Sequence, residues 1–260
     1  MPGAETVLPF VLADDSPSCD GSAPIILFHE VLPGPRRLEH RDDPLAAYYE
    51  LCDRLIEKGE FTDEVQAAMD LAYKKRKDKK RKNGSSAFLH DAEVAALVIP
   101  YVPPFAIAAA YMHDIVEEGD VPLSQIQAEF SPEVAEIVDL LTEKPSQNTI
   151  NRDMTQQERE EDWEERKMVR QIAAIWKMPH FAVVVKTADF ATITDNIIDD
   201  FLDGGPESLL YLTVGPELQL RRGRVMVETF GKVENETSLV NAILPYLRER
   251  VTKLAELFAA

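Results

Sequence analysis

The sequence "AAAYMHDIVEE", residues 108–118, places a His-Asp pair at the end of an apolar helical run. His113 and Asp114 can offer an imidazole and a carboxylate to one divalent cation. If the helix continues, Glu117 lies one turn beyond His113, and Glu118 lies one turn beyond Asp114. A carboxylate pair beside the candidate ligands can hold a water molecule and take its proton. A His-Asp dipeptide is common by chance, so a site needs further residues.

Two residues elsewhere in the chain complete a ligand set. His90 starts the preceding helical run, and Asp189 follows the apolar stretch "FAVVV" within the segment "KTAD". A carboxylate on a largely apolar helix is costly unless it is paired or bound to a metal ion. Two imidazoles and two carboxylates form an N2O2 set that suits Mn²⁺, Fe²⁺ or a similar ion. The pattern therefore predicts a metal site made of His90, His113, Asp114 and Asp189.

Helical periodicity dominates the chain after about residue 40. Asp42 or Asp43 is the expected cap of a first helix that ends at Gly59, and Thr62 is the expected start of a second helix. Residues 103–118, which include the His-Asp pair, are expected to form one continuous helix.

The domain organisation follows from the same patterns. The sequence has no internal repeat and no alternation of strands with helices, so the predicted fold class is all-α. Residues 41–260 are expected to form a single helical domain. Residues 1–40 are rich in Pro, Gly and Asp and are expected to form an irregular N-terminal arm. Residues 144–154 form a predicted polar linker within the helical domain.

Composition narrows the classes of partner. The 260 residues include 28 basic and 46 acidic ones, a formal charge of -18 that disfavours duplex nucleic acid. The uncharged run at 95–112 contains three prolines, which would break a membrane-spanning helix. Cys19 and Cys52 cannot form a disulfide framework, and the N-terminus does not resemble a signal peptide. We therefore expect a cytoplasmic protein without a membrane span.

One basic stretch stands out in this acidic chain. Eight of the nine residues in "KKRKDKKRK", residues 74–82, are Lys or Arg. The run can be a solvated helix end, because cations favour the C-terminal end of a helix dipole. It can also attract a polyphosphate ligand or act as a nuclear import signal. We expect residues 74–80 to be a solvated helix end.

Several segments together resemble the HD superfamily of metal-dependent phosphohydrolases. The resemblance is greatest to the alarmone hydrolase domain of RelA/SpoT proteins and to the small alarmone hydrolases. It covers roughly residues 62–231. The matching segments are "RKNGSSAFLH" (81–90), the stretch 108–143, "ERKM" (165–168), "FAVVVKTAD" (181–189) and "VETF" (227–230).

This resemblance implies a fold and an activity. It implies one HD-type helical domain in which the four candidate ligands hold a single Mn²⁺-like ion, with Fe²⁺, Co²⁺ and Mg²⁺ as alternatives. Glu117 and Glu118 would position and activate the attacking water. Members of the family remove pyrophosphate from the 3′ position of (p)ppGpp, which leaves GDP or GTP. The nucleotide base would pack near Arg81 and Lys82.

The sequence also departs from the family pattern. Phe190 stands where the family has a basic residue, and Ile193 stands where the family has an Asn. Asn196, one turn further along, could take the place of that Asn as a substrate ligand. These changes leave two alternatives open. The substrate can be another nucleotide, such as (p)ppApp or a dNTP, or the chain can be a degenerate HD scaffold that senses nucleotides or binds a partner. The sequence makes no prediction of the oligomeric state.

Overall fold

The computed structural model describes residues 34–143, 155–212, 214–233 and 240–259. These residues form helices without any strand, apart from one isolated bridge between Lys80 and Ser86. The all-α prediction is therefore confirmed. Most of the predicted N-terminal arm, and the whole predicted linker at 144–154, lie outside the described residues.

The helices, in chain order, have the following bounds. They are α1 (Pro44–Lys58), α2 (Asp63–Arg76), α3 (Ala87–Val98), α4 (Pro104–Tyr111), α5 (Ile115–Glu118), α6 (Leu123–Glu129), α7 (Pro132–Leu141), α8 (Gln156–Ile175), α9 (His180–Gly204), α10 (Pro216–Val233) and α11 (Val240–Ala259). A short 3-10 turn, Pro206–Leu209, lies between α9 and α10.

Local sequence sets the ends of the first two helices. The Asp43 carboxylate accepts hydrogen bonds from the backbone N–H groups of the first turn of α1. Gly59 ends α1 in the left-handed region at φ 75°, where glycine carries no steric penalty. Thr62 caps α2 by accepting from the N–H of Val65 at 3.3 Å. The predicted boundaries of both helices are confirmed.

The continuous helix predicted for residues 103–118 is wrong. The chain leaves helical geometry at Met112 (φ -108°, ψ 9°) and Asp114 (φ -104°, ψ 2°), so α4 and α5 are separate. The His113 ring binds the Ala110 carbonyl at 2.9 Å, which in an unbroken helix would accept the N–H of Asp114. The His-Asp pair therefore lies in a turn.

The core is built around two apolar helices. Every residue of α3 is buried, and α4 is buried from Ala106 to its end. The long helix α9 packs against α3, α4, α7, α10 and α11, so that α3, α4 and α9 share one junction. Among the described residues, no helix combines the length and apolarity that a membrane crossing requires.

The residues just before α1 also pack against the helices. Leu38 is buried, and the Arg37 guanidinium forms ion pairs with Glu93 of α3 at 3.0 Å and with Asp199 of α9 at 2.9 Å. It also lies 3.5 Å from the buried carboxylate of Asp195. Residues 37 and 38 are thus anchored to the helical unit. The domain boundary at residue 40 stays a prediction.

We expect Gly59→Ala to destabilise the fold by about 1 kcal/mol, because an L-residue is strained in the left-handed region. A Cβ atom at Gly59 would meet no other atom within 4 Å, so backbone strain is the only cost. Urea unfolding measures the effect. Gly215→Ala is the control, because Gly215 has equal space and no positive φ. Equal stability of the two variants would contradict the role of Gly59 as a cap.

Candidate metal centre

Three parts of the fold bring the predicted ligands together. Helix α3 carries His90, the turn between α4 and α5 carries His113 and Asp114, and α9 carries Asp189. His90, His113 and Asp189 are buried, whereas 25% of the Asp114 side chain is exposed. We call these four residues the ligand cluster. Its Asp114 side faces solvent.

The distances within the ligand cluster match those of a coordination site. The Nε2 atom of His90 lies 3.2 Å from Asp189 Oδ1 and 4.0 Å from Asp114 Oδ2. The Nε2 atom of His113 lies 3.3 Å from Asp114 Oδ2 and 3.8 Å from Asp189 Oδ1. Two ligand atoms that each lie ~2.1 Å from one ion are roughly 3.0–3.4 Å apart. The ligand atoms of His90, His113 and Asp189 lie within 4.8 Å of one another. Asp114 lies outside this group, so its side chain would have to shift to share the same cation.

The histidine rings present their Nε2 atoms to the centre. His113 Nδ1 lies 2.9 Å from the Ala110 carbonyl, and donation to that oxygen leaves the Nε2 lone pair free for a metal. The Nε2 atom of His113 is buried and has no hydrogen-bond partner. A buried nitrogen without a partner, facing two carboxylates, fits a metal ligand because a cation would satisfy it.

The charges of the site also fit a cation. Burial lowers the pKa of His113, but Asp114, Asp189 and Asp91 outweigh it and raise the pKa to about 9. Burial and the Arg81 charge lower the pKa of His90 to about 4, so this ring is neutral at pH 7. A site that attracts a proton so strongly also attracts a metal ion, and the ion would replace that proton.

Lysine 186 orients one of the carboxylate ligands. Its Nζ atom lies 2.9 Å from Asp189 Oδ2, which leaves Oδ1 directed at the histidines. Burial raises the pKa of Asp189, but Lys186 and the two histidine rings hold it well below its usual range. Asp189 is therefore an anion, as a metal ligand must be.

A second group of possible ligands overlaps the first. Atoms of Asp91, His113 and Asp114 also lie close enough together to share an ion. Asp91 Oδ2, however, already accepts a hydrogen bond from Arg76 Nε at 2.5 Å, and Asp91 Oδ1 lies 3.9 Å from His113 Nδ1. That nitrogen already forms a hydrogen bond with the Ala110 carbonyl oxygen. This group is therefore less suited to a metal than the ligand cluster.

The two predicted catalytic carboxylates have different hydrogen-bond partners. Glu117 Oε1 accepts a hydrogen bond from the backbone N–H of Glu143, and burial raises the pKa of Glu117. Glu118 Oε2 accepts from Arg76 Nη1 at 3.1 Å, and 59% of its side chain is exposed. The backbone N–H of Glu118 donates to the Asp114 carbonyl at 2.9 Å, so Glu118 lies one helical turn beyond Asp114, as predicted. Both residues still flank the cluster on the short helix α5.

The predicted substrate residues occupy different environments. Arg81 is close enough to His90 for its charge to contribute to the lowered pKa of that ring. Its buried Nη1 atom has no hydrogen-bond partner. Lys82 is exposed. Asn196 lies on α9 and faces a cleft that His90 also lines.

This cleft has a volume of about 320 Å³ and lies between residues 39–42, the 83–85 loop and α9. Asn83, Ser85 and Asn196 offer uncharged polar groups. Six carboxylates line it, against one arginine, Arg41: they are those of Glu39, Asp42, Glu93, Asp199, Asp200 and Asp203. Arg36, Arg37 and Arg41 form ion pairs with Glu39, Glu93 and Asp199, so carboxylates remain in excess. We call this cleft the acidic cleft.

Sequence reasoning missed three residues beside the site. Arg76 is fully buried and contacts Asp91, so the expectation of a solvated helix end is wrong at this position. Lys186 is the second missed residue. It precedes Asp189 by three positions, and a spacing of three on a helix could have predicted this pair. Asp91 follows His90 directly, and a carboxylate on an apolar helix could have marked it as paired. No local signal separates Arg76 from the other cations of its run.

Comparison with known families agrees with this geometry. Residues 68–190 match the family model described as HD domain. This stretch includes all four residues of the ligand cluster. Residues 68–190 are therefore similar to an HD domain. HD domains bind divalent metals, and the His/Asp cluster could hold one.

Two curated relatives match parts of this chain. One is the GTP pyrophosphokinase rsh of Brucella melitensis biotype 1, 28% identical over 113 residues, which are 42% of this chain and 15% of the relative. The other is a probable guanosine-3′,5′-bis(diphosphate) 3′-pyrophosphohydrolase of Synechocystis sp., 35% identical over 97 residues, 34% of this chain and 12% of the relative. The chain thus matches less than a sixth of either relative's length.

A solved structure of a metazoan ortholog of SpoT is also similar. That protein hydrolyses ppGpp and plays a role in starvation responses. The two chains are 19% identical with a TM-score of 0.45, and the match covers 76% of this chain and 95% of the other.

We expect this chain to bind Mn²⁺ and to lose it in His113→Ala and Asp189→Asn. A ligand at 100 times its Kd stabilises the folded state by about 2.7 kcal/mol, so Mn²⁺ should raise the Tm of the unsubstituted chain by about 5–10 °C. Equilibrium dialysis with metal analysis gives the stoichiometry, and thermal unfolding gives the shift.

The matched control is His180→Ala. His180 is the first residue of α9, lies outside the ligand cluster and is only partly buried. The His180→Ala variant should bind Mn²⁺ as the unsubstituted chain does. Retention of the metal by Asp189→Asn and His113→Ala would contradict the assignment of the site.

Proposed function

We propose that this chain is a metal-dependent phosphohydrolase that removes pyrophosphate from the 3′ position of (p)ppGpp. The observation that carries the proposal is the convergence of His90, His113 and Asp189, whose ligand atoms lie within 4.8 Å of one another, with Asp114 Oδ2 3.3 Å from His113 Nε2 on the solvent side. The names of the Synechocystis relative and of the SpoT ortholog direct the choice of substrate.

The ligand set favours a transition metal. Two imidazole nitrogens suit Mn²⁺, Fe²⁺ or Co²⁺ better than Mg²⁺, which prefers oxygen ligands and retained water. We propose Mn²⁺ as the ion, held by the ligand cluster. It would polarise the phosphoryl group and lower the pKa of the attacking water.

The carboxylates of α5 would accept the proton of the attacking water. The surroundings of the Glu117 carboxyl raise its pKa, which brings it closer to neutral pH, where a general base is most effective. Its backbone partner at Glu143 fixes one oxygen and leaves the other available. Glu118 would assist from the Arg76 side. We propose Glu117 as the main proton acceptor.

Cationic groups near His90 would bind the substrate. Arg81 has an unpartnered guanidinium nitrogen beside this ring, and a phosphate oxygen would satisfy it. Lys82 is exposed beside it and would contribute charge only. Asn196 would contact the nucleoside in the acidic cleft. The cytoplasmic location predicted from the sequence stays a prediction.

The acidic cleft favours a second candidate substrate. Its carboxylates would repel a phosphate group, and (p)ppGpp carries phosphates at both the 3′ and the 5′ positions of its ribose. A dNTP carries all its phosphates at one end, so a neutral nucleoside alone would enter the cleft. Hydrolysis of such a nucleotide is therefore the second candidate function.

We expect the purified chain with Mn²⁺ to release pyrophosphate from ppGpp, and Glu117→Gln to lower kcat by about 100-fold or more while Mn²⁺ remains bound. The isosteric amide cannot accept the proton. Coupled pyrophosphate detection measures the rate. Glu136→Gln, an exposed acid on α7, is the control.

A panel of nucleotides decides between the candidates. Turnover of dNTPs alone would replace the first candidate with the second. If the chain and His113→Ala are equally inactive on the whole panel, the chain is a degenerate scaffold and both candidates fail.

We expect Asp203→Asn to lower the KM for ppGpp several-fold, because it removes one charge that repels the second phosphate group. The KM for a dNTP should change by less than about twofold. Asp53→Asn, which changes the net charge equally at an exposed site on α1, is the control. Equal effects of both variants would show that the cleft does not discriminate by charge.

A further inference from the structure

Arg76 is the one cation of the basic run that is completely buried. It is the last residue of α2, and its relative exposure is 0%, whereas Lys74 and Lys80 are exposed. Burial of a guanidinium is costly unless its charge and its N–H groups are matched. The position therefore demands several acidic partners.

The guanidinium meets this demand with three carboxylates from separate parts of the chain. Its Nε donates to Asp91 Oδ2 at 2.5 Å, and its Nη1 donates to Glu118 Oε2 at 3.1 Å. Its Nη2 lies 3.6 Å from Asp114 Oδ2, an atom of the ligand cluster. Arg76 thus links α3, the His-Asp turn and α5 through one planar fork.

The element that Arg76 holds has little stability of its own. Helix α5 has four residues, too few for a stable isolated helix. Lys79 of the same basic run donates to the Glu118 carbonyl oxygen and to Asp120 Oδ2 at 2.7 Å. Arg76 and Lys79 of the basic run therefore bind the side chain and the backbone of Glu118, respectively.

We propose that Arg76 is a positioning residue, which fixes Asp114 toward the metal and holds Glu118 beside it. This inference rests on the proposed function for its effect on turnover, but its effect on metal binding is independent of any substrate. Lysine cannot replace Arg76, because a single ammonium cannot match three acceptors at fixed angles. Positioning these carboxylates therefore requires the planar geometry of the guanidinium as well as its positive charge.

The test compares Arg76→Lys with Lys74→Arg, since both retain the net charge and Lys74 lies on the surface of the same helix. Isothermal titration with Mn²⁺ alone should give about 10–100-fold weaker binding for Arg76→Lys and no change for Lys74→Arg. With ppGpp, kcat should fall by a similar factor, and KM should stay within about twofold. A purely structural role would not separate kcat from KM.

A double-mutant cycle tests the path through Glu118. In the Glu118→Gln background, Arg76→Lys should lower kcat much less than it does alone, because the carboxylate it positions is already gone. Full additivity of the two substitutions would overturn the coupling. Unchanged Mn²⁺ affinity in Arg76→Lys would overturn the positioning of Asp114.

A second variant covers the case in which Arg76→Lys does not fold. Arg76→Met combined with Asp91→Leu replaces the buried ion pair by apolar groups, an exchange that often preserves or improves stability. This variant should fold and show the same loss of kcat and Mn²⁺ affinity. Retention of both properties within about twofold would overturn the proposal. Absence of turnover in the unsubstituted chain would reject the proposed function alone, since Mn²⁺ titration still tests Arg76.

Discussion

The central constraint on this fold is the burial of acidic groups in an apolar interior. Asp91 and Asp189 lie on helices whose other positions are mostly apolar, and an unpaired charge there would destabilise the fold. Arg76 compensates Asp91 and Lys186 compensates Asp189, one on each side of the ligand cluster. The interior is thus neutralised in two places, while the centre between them keeps the anionic character that a divalent cation requires.

The basic run has a different role from the one that its composition suggests. In a chain of net charge -18, a cluster of Lys and Arg is most simply read as a surface that attracts anions. Two of its members instead point inward or across to α5, where they meet carboxylates. Only the remaining exposed members are free to act over longer distances, and salt would screen that action.

Much of the fold and of the ligand cluster could be predicted, since the signals were local or had a regular spacing. Asp43, Gly59 and Thr62 set helix ends through backbone chemistry, which needs no tertiary context. The break at His113 could not be predicted, because an imidazole displaces a backbone donor only when the ring is packed in place. The burial of Arg76 likewise depends on contacts with Asp91 of α3 and Glu118 of α5, which lie 15 and 42 residues further along the chain. The pattern of histidines and aspartates predicted the ligand set, and the family resemblance agreed with it, but the contacts around the ligands came only from the three-dimensional arrangement.

Arg37 gives the segment before α1 a structural role that its irregular conformation does not suggest. Its guanidinium reaches the buried Asp195 carboxylate, which Tyr246 of α11 also contacts at 2.7 Å. A shortened chain that began at residue 41 would leave Glu93 and Asp195 facing each other without this counter-charge. For protein engineering, the safe point of truncation therefore lies upstream of Arg37, so that the acidic wall of the cleft keeps its counterion.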